Sequence, residues 1–204
     1  MHIMEELTII EGGLPDLIRL YDSIIEEFPE GERKAIDVFI RLFETGDYKL
    51  LIALSETGIE VGYAFLYTIR KLSILWLDFI VIHPEFQGKG YGSKFFEKMG
   101  SFYDSYIGML LEVEIPEEAN ENQVRRISFY EHAGAVRLNL KYYLPNEFGG
   151  LEMYLYYKNF NINAFPEAKV VIAAIESAYE FIHSDISDKE QWLRQTINSQ
   201  DGNQ

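Results

Sequence analysis

The run Ile74-Leu75-Trp76-Leu77-Asp78-Phe79-Ile80-Val81-Ile82 is apolar at every position but Asp78, and it leads directly into His83-Pro84-Glu85-Phe86-Gln87-Gly88-Lys89-Gly90-Tyr91-Gly92-Ser93-Lys94. Apolar residues at both odd and even positions describe a strand covered on both faces, so the chain needs a sheet with a layer on each side. The glycine-rich turn then predicts an abrupt exit from that strand into a helix over Ser93 to Tyr103. A chain of 204 residues can build such a sandwich without staples. It amounts to one full domain and an appendage at ~150 residues per domain, and buries ~70% of its unfolded surface.

Around this centre the periodicity changes several times. Leu7 to Ile10 reads as a short strand. Pro15 then sits in the first turn of a helix with the stripe Leu17, Leu20, Tyr21, Ile24 and Phe28. A second helix carries Ala35, Ile36, Phe39, Ile40 and Phe43 on one face. Lys49 to Ser55 and Ile59 to Ile69 flank Glu56-Thr57-Gly58 as a β-hairpin. Ile107 to Glu114 reads as a strand, Gln123 to His132 as a helix, and Val136 to Leu144 and Leu151 to Lys158 as two further strands. Hairpins beside βαβ units imply an α/β fold with a mixed sheet of about seven strands and flanking helices.

We expect residues 1–160 to form one domain and 161–204 a C-terminal helical extension. In the extension Val171, Ala174, Ile175, Ala178 and Ile182 recur at helical spacing. Such a stripe, at ~1.5 kcal/mol or more per buried side chain, has to be covered. It docks on its own subunit or on a two-fold partner; we favour the homodimer, because the domain looks complete without it. A shorter helix is expected over Asp188 to Ile197, with a frayed polar end.

Charge and composition exclude several partners. Acidic residues number 33 against 18 basic ones, a formal charge of −15. Nucleic acid is therefore not expected as a partner. Cysteine is absent, which removes disulfides, thiolate catalysis and cysteine metal sites. The four histidines, His2, His83, His132 and His183, have no metal-ligand spacing, and no metal is expected. Leu72 to Ile82 is about half the ~20 residues that span a bilayer. The opening Met1-His2-Ile3-Met4-Glu5-Glu6 lacks the pattern of a secretory signal, so the expected location is the cytoplasm.

The glycine turn carries the functional signal. Its backbone amides, with the positive end of the following helix, suit a phosphate, and Lys89 and Lys94 add local positive charge. Neither the Walker A spacing nor the Rossmann Gly-x-Gly-x-x-Gly is present. What fits is Gln/Arg-x-x-Gly-x-Gly/Ala, at Gln87, Gly90 and Gly92. Placed after a buried fourth strand, this segment resembles motif A of the GNAT superfamily, the acetyl-CoA-dependent N-acetyltransferases. One strand later, Gln123 to Ala135 is similar to that family's Asn-x-x-Ala-x-x-x-Tyr-x-x-x-Gly-Phe: Tyr130 and Gly134 match, whereas Gln123, Arg126 and Ala135 depart from it. The likeness extends from Leu7 to about Lys158.

The resemblance implies acetyl-CoA as co-substrate. Its pyrophosphate would lie on the amides of Gln87, Gly88, Lys89, Gly90, Tyr91, Gly92 and Ser93, and its pantetheine arm along Ile80, Val81 and Ile82. That arm needs a fourth strand splayed from the fifth. Gln123, Arg126 and Tyr130 share one helix face and would turn toward the coenzyme. Arg126 pairs there with a coenzyme phosphate, or is solvated.

Transfer to an amine needs a proton acceptor, because at a pKa of ~10.4 only about one alkylamine in ~2500 is neutral at pH 7. Asp78 is the first candidate, with Glu112 and Glu114 behind it, and Tyr130 suits the protonation of the departing sulfur. The acidic stretch Glu114-Ile115-Pro116-Glu117-Glu118-Ala119-Asn120-Glu121-Asn122 is a solvated loop, or it draws a cation to the acceptor mouth. The expected function is acetyl transfer to a primary amine of a small cationic molecule. The rival readings are a non-catalytic acetyl-CoA-binding protein of this fold, and an enzyme acting on a protein or peptide amine.

Overall fold

Thr57 and Gly58 fold the hairpin back on itself: Gly58 takes a left-handed φ of +76°, and Ser55 N–H donates to Ile59 O at 2.8 Å. On either side run β2 (Tyr48–Ser55) and β3 (Glu60–Ile69). In this computed structural model, which describes residues 6–117, 120–160 and 165–201, they belong to one sheet of eight strands. The others are β1 (Leu7–Glu11), β4 (Ile74–Ile82), β5 (Gly108–Glu114), β6 (Ala135–Arg137), β7 (Tyr142–Asn146) and β8 (Gly149–Asn159). Their spatial order is β1-β2-β3-β4-β5-β8-β6, with β7 also on β8. Among the described residues only β4 and β5 pair in parallel, so the sheet is mixed, as expected.

The expected Val136–Leu144 strand is the one element that divides. β8 receives β6 at Tyr156 to Lys158 and β7 at Gly149 to Met153, on the same edge. Between them the chain leaves the sheet at Asn139 to Lys141. There Lys141 N–H donates to Ser199 Oγ at 3.3 Å, and Ser199 Oγ–H donates back to Lys141 O at 3.2 Å. A residue 58 positions away thus satisfies the backbone that the break exposes, and nothing local announces it. Among the described residues the count is eight strands where about seven were expected.

Helices cover both faces. α1 (Leu14–Glu27), α2 (Ile36–Glu44) and α5 (Ala168–Phe181) lie on one side. α3 (Tyr91–Phe102) and α4 (Glu121–His132) lie on the other. α6 (Lys189–Asp201) runs past the expected Ile197 and lies along β7, where Tyr143 N–H donates to Thr196 Oγ1 at 3.2 Å. Hydroxyls of α6 thereby occupy the free edge of β7, where another strand would otherwise add. Among the described residues no helix is long and apolar enough to cross a membrane.

The stripe of α5 is buried within the chain. Val171, Ala174, Ile175, Ala178 and Ile182 join the core beneath β2, β3 and β4, and the Phe181 ring stacks on Tyr67 with centroids 4.1 Å apart. No apolar face of α5 is left over to require a two-fold partner, so the stripe is no longer an argument for the dimer. Ile175, fully buried, gives a direct check. Ile175→Ala should lower unfolding stability by ~2–5 kcal/mol in denaturant titrations. A loss well under 1 kcal/mol would mean that α5 is not a working part of the core.

Candidate active site

The site begins with a missing pairing. β4 and β5 are hydrogen-bonded only from Ile74–Leu77 to Gly108–Leu111, and beyond Leu77 and Leu111 the two strands separate. The separation coincides with a β-bulge. On β4, Phe79 pairs with Phe65 and Leu77 with Leu66, so Asp78 is the extra residue. Trp76, Phe79 and Val81 consequently face one core layer, and Leu77, Ile80 and Ile82 the other. A bulge re-aims one side chain and bends the strand, and here it turns Asp78 into the gap. The gap is a cleft of about 660 Å³, bounded by β4, β5, α4, the glycine loop and the segment after α1.

At one end lies the glycine loop. Pro84–Phe86 forms a single 3-10 turn, and Gln87 Nε2 donates to Ile82 O at 2.8 Å, tying the loop to the strand end. Gly88 and Gly90 adopt φ of +71° and +83°, a region that disfavours any residue with a Cβ. Nothing lies within 4 Å of where their side chains would be. Gly92 differs, since a Cβ there would come within 3.3 Å of the Phe129 ring, so its small size lets α4 approach α3. Gln87, Gly88, Gly90, Gly92 and Ser93 line the cleft. Lys89 stays at the surface, its ammonium 5.6 Å from the Phe86 ring centroid. Tyr91 packs edge-on against Phe86 inside the core. The exposed turn and the N-terminus of α3, which has no acidic residue in its first turn, fit an anionic pyrophosphate.

α4 supplies the next wall. Tyr130 is buried between Phe96 and Phe129 and lines the cleft. Burial pushes its phenol up to about 12, with Arg126 pulling down and Glu114 pushing up. Arg126 also lines the cleft, but its guanidinium is ion-paired with Glu114 of β5. Gln123 instead accepts a hydrogen bond from Glu117 N–H at 2.8 Å, which pins the start of the acidic stretch. Glu117 and Glu121 flank a separate surface depression, and Glu118 lies outside the described residues.

The other end of the cleft is carboxylate-rich. Lys34 Nζ sits astride Asp78, 2.9 Å from each carboxylate oxygen, and the Tyr48 hydroxyl donates to Oδ2. Both partners are nearly sealed, with side chains 8% and 4% exposed. Beside them Glu112 accepts from the Tyr142 hydroxyl. Burial, and then the charge of Asp78, push the Glu112 carboxyl up to about 8. Glu32, on the 3-10 turn after α1, is raised by burial and then by Glu114, and Glu27 joins it at the mouth. The acidity of the cleft thus comes from β5 and the end of α1 more than from the loop after β5. Lys34, Glu27, Glu32 and Tyr142 have no signal in the sequence; each is brought in by packing alone. Among the described residues no group of His, Asp and Glu is arranged to hold a metal ion.

These shifts have a consequence for stability. Glu112 rises from about 4.5 to about 8 on folding, so its contribution is complete below pH 4.5 and is lost as pH rises through 8. His183 is buried and held well below 6.5 by desolvation, then by Lys34 and Lys189. Its contribution is present above pH 6.5 and is lost on acidification. Between pH 6.5 and 8 the Glu112 slope is therefore unopposed by His183. Denaturant titrations should show wild-type stability falling over that interval, and Glu112→Gln should flatten the fall. An equal slope in both proteins would overturn the assignment of Glu112 as the titrating group.

Comparisons with known proteins agree with this architecture. A model of the acetyltransferase (GNAT) domain family matches residues 46–134, from β2 through α4. A protein from Bacteroides thetaiotaomicron assigned to the GNAT family of acetyltransferases is 21% identical with a TM-score of 0.70, covering 86% of this chain and 97% of its own. Spermidine N-acetyltransferase from Vibrio cholerae, in complex with CoA and spermine, is 16% identical with a TM-score of 0.58, over 76% and 95%. Ribosomal-protein-S18-alanine N-acetyltransferase from Escherichia coli is 17% identical with a TM-score of 0.57, over 79% and 100%. Among curated proteins the chain has no match. The family match ends at Gly134 and takes in the glycine loop, the parting of β4 and β5 and the Tyr130 helix. Residues 46–134 therefore match a GNAT acetyltransferase domain, the domain of acyl-CoA N-acyltransferases, within a chain that shares the fold of these solved acetyltransferases.

Proposed function

We propose that the protein moves acetyl from acetyl-CoA to a primary amine of a small cationic acceptor. One observation carries the proposal. The parted ends of β4 and β5 open onto glycine-loop amides at one end and onto Glu27, Glu32, Glu112 and Glu114 at the other. An anion and a cation are thereby drawn to opposite ends of one cleft.

Acetyl-CoA supplies the activated acyl group. Gln87 to Ser93 would hold its pyrophosphate, and the backbone of Ile80, Val81 and Ile82, unpaired on the β5 side, would take its pantetheine arm. A phenol keeps its proton at neutral pH, and burial holds that of Tyr130 more firmly still, so it can donate to the departing sulfur. A carboxylate of the cleft wall receives the acceptor's proton, with Asp78 at the bulge of β4 and Glu112 on β5 as the candidates where the two strands part. Arg126, committed to Glu114, is placed to orient that carboxylate; a coenzyme phosphate would have to draw it away.

Thiol release from acetyl-CoA, measured with polyamines, aminoglycosides, amino acids and peptides, tests the proposal. Spermine and spermidine enter the panel first, given the ligand and name of the Vibrio cholerae neighbour. Multiply charged amines should be turned over fastest. Release with peptides alone would replace the small acceptor with a protein amine. Acetyl-CoA binding without release to any amine would leave a binding protein of this fold.

A further inference from the structure

The two carboxylates where β4 and β5 part are not equivalent. Asp78 is enclosed: Lys34 contacts both of its oxygens and the Tyr48 hydroxyl takes Oδ2. The Lys34 ammonium lies 4.7 Å from the Phe79 ring centroid and 6.0 Å from that of Phe39, so the pair has little water to exchange with. Taking a substrate's proton there would set Asp78 against the buried ammonium that it partners. Breaking a buried ion pair leaves a charge stranded in a poor solvent. Glu112 is half engaged. Its Oε1 accepts from Tyr142, Oε2 has no hydrogen-bond partner among the described residues, and the residue lines the cleft.

We propose that Glu112 takes the acceptor's proton, and that the buried Lys34–Asp78 ion pair, in the same cleft wall, stays intact through the transfer. The proposal rests on the acetyl-transfer reading of the cleft and names its base. The amine's first proton passes to Glu112 Oε2. The nitrogen lone pair forms the N–C bond as the C–S bond breaks. The second proton reaches the sulfur by way of Tyr130, and Glu112 returns its own to solvent.

The groups around Glu112 have opposite effects. Asp78 of β4, Glu32 of the turn after α1 and burial itself hold the proton on it, and Lys34 and the Tyr142 hydroxyl of β7 favour its loss. Tyr48 of β2 and Tyr179 of α5 also feel its charge. Removing the negative partner should ease ionisation, and removing the positive one should oppose it. Asp78 and Lys34 are thus positioning residues whose loss shifts Glu112 in contrary directions.

The test is a pair of titrations on the full chain. In the substrate-free protein, carbon NMR of the Glu112 carboxyl should give a midpoint near 8. Asp78→Asn should lower it, and Lys34→Gln should raise it, each by roughly one pH unit. The acid limb of kcat/KM should move in the same two directions and should not follow the pKa of the amine chosen. Glu112→Gln should lose that limb and ~10²-fold in kcat. Circular dichroism confirms folding of each variant, and Lys34→Arg should restore the wild-type limb. Two results overturn the proposal while leaving acetyl transfer in place: a limb that survives Glu112→Gln, or one that disappears in Asp78→Asn. Absence of thiol release with every amine overturns the transfer reading itself.

Discussion

Tyr130→Phe should lower kcat by ~10²-fold, the usual loss when a positioned proton donor is removed, with acetyl-CoA affinity nearly unchanged. The ring is held between Phe96, at 5.5 Å, and Phe129, at 5.0 Å, and a phenylalanine keeps both contacts. Its hydroxyl has no hydrogen-bond partner among the described residues, so no internal bond is lost with it. Only the group facing the cleft disappears. Steady-state thiol release and calorimetry separate the two effects, because a group that acts only on the departing sulfur lowers kcat and kcat/KM together. Unchanged turnover would make Tyr130 a packing residue. Weakened binding with normal turnover would make it part of the coenzyme wall.

Gly90→Val should weaken acetyl-CoA binding by about tenfold or more. Gly90 caps α3 with φ of +83°, and a left-handed conformation costs an ordinary L-residue ~1–2 kcal/mol, which is about one order of magnitude in an equilibrium. A β-branched residue is worse placed still. The loop must either carry that strain or turn its amides away from the ligand. Space is not the obstacle, since nothing lies within 4 Å of the added Cβ, and the body of the fold should survive. Gly92→Ala makes a useful contrast. Its Cβ would press on Phe129 at 3.3 Å, so it should disturb the seating of α4 and lower stability more than affinity. Calorimetry showing wild-type affinity for Gly90→Val would remove the glycine loop from the coenzyme site.

Both expectations use features that are written locally. The apolar run Ile74 to Ile82, the glycine turn and the Tyr130–Gly134 spacing each lie within a dozen or so residues. Periodicity and φ preferences act over that range, and so the strand, turn and helix that frame the cleft are legible in the order of the residues. Asp78 is legible in the same way, as the one charge in a buried strand. Its state is not, because Lys34 and Tyr48 arrive from 44 and 30 positions away. Glu112 stands in the same relation to Tyr142, also 30 positions distant. Arg126 shows the limit from the other side: it lines the cleft, but which anion it meets depends on how β5 carries Glu114 past α4.

The sequence by itself determined the sandwich, the order of its elements, the glycine loop and the likeness to GNAT acetyltransferases, because these follow from chain-local patterns of polarity, turn chemistry and spacing. Tertiary structure alone decided where β4 and β5 part, which carboxylate keeps an open oxygen, how the strand after α4 divides, and what covers α5. Each of those turns on which distant group is present to satisfy a buried charge, a freed backbone bond or an apolar face. Desolvation makes these choices costly to get wrong, and a linear pattern does not record which partner will be near.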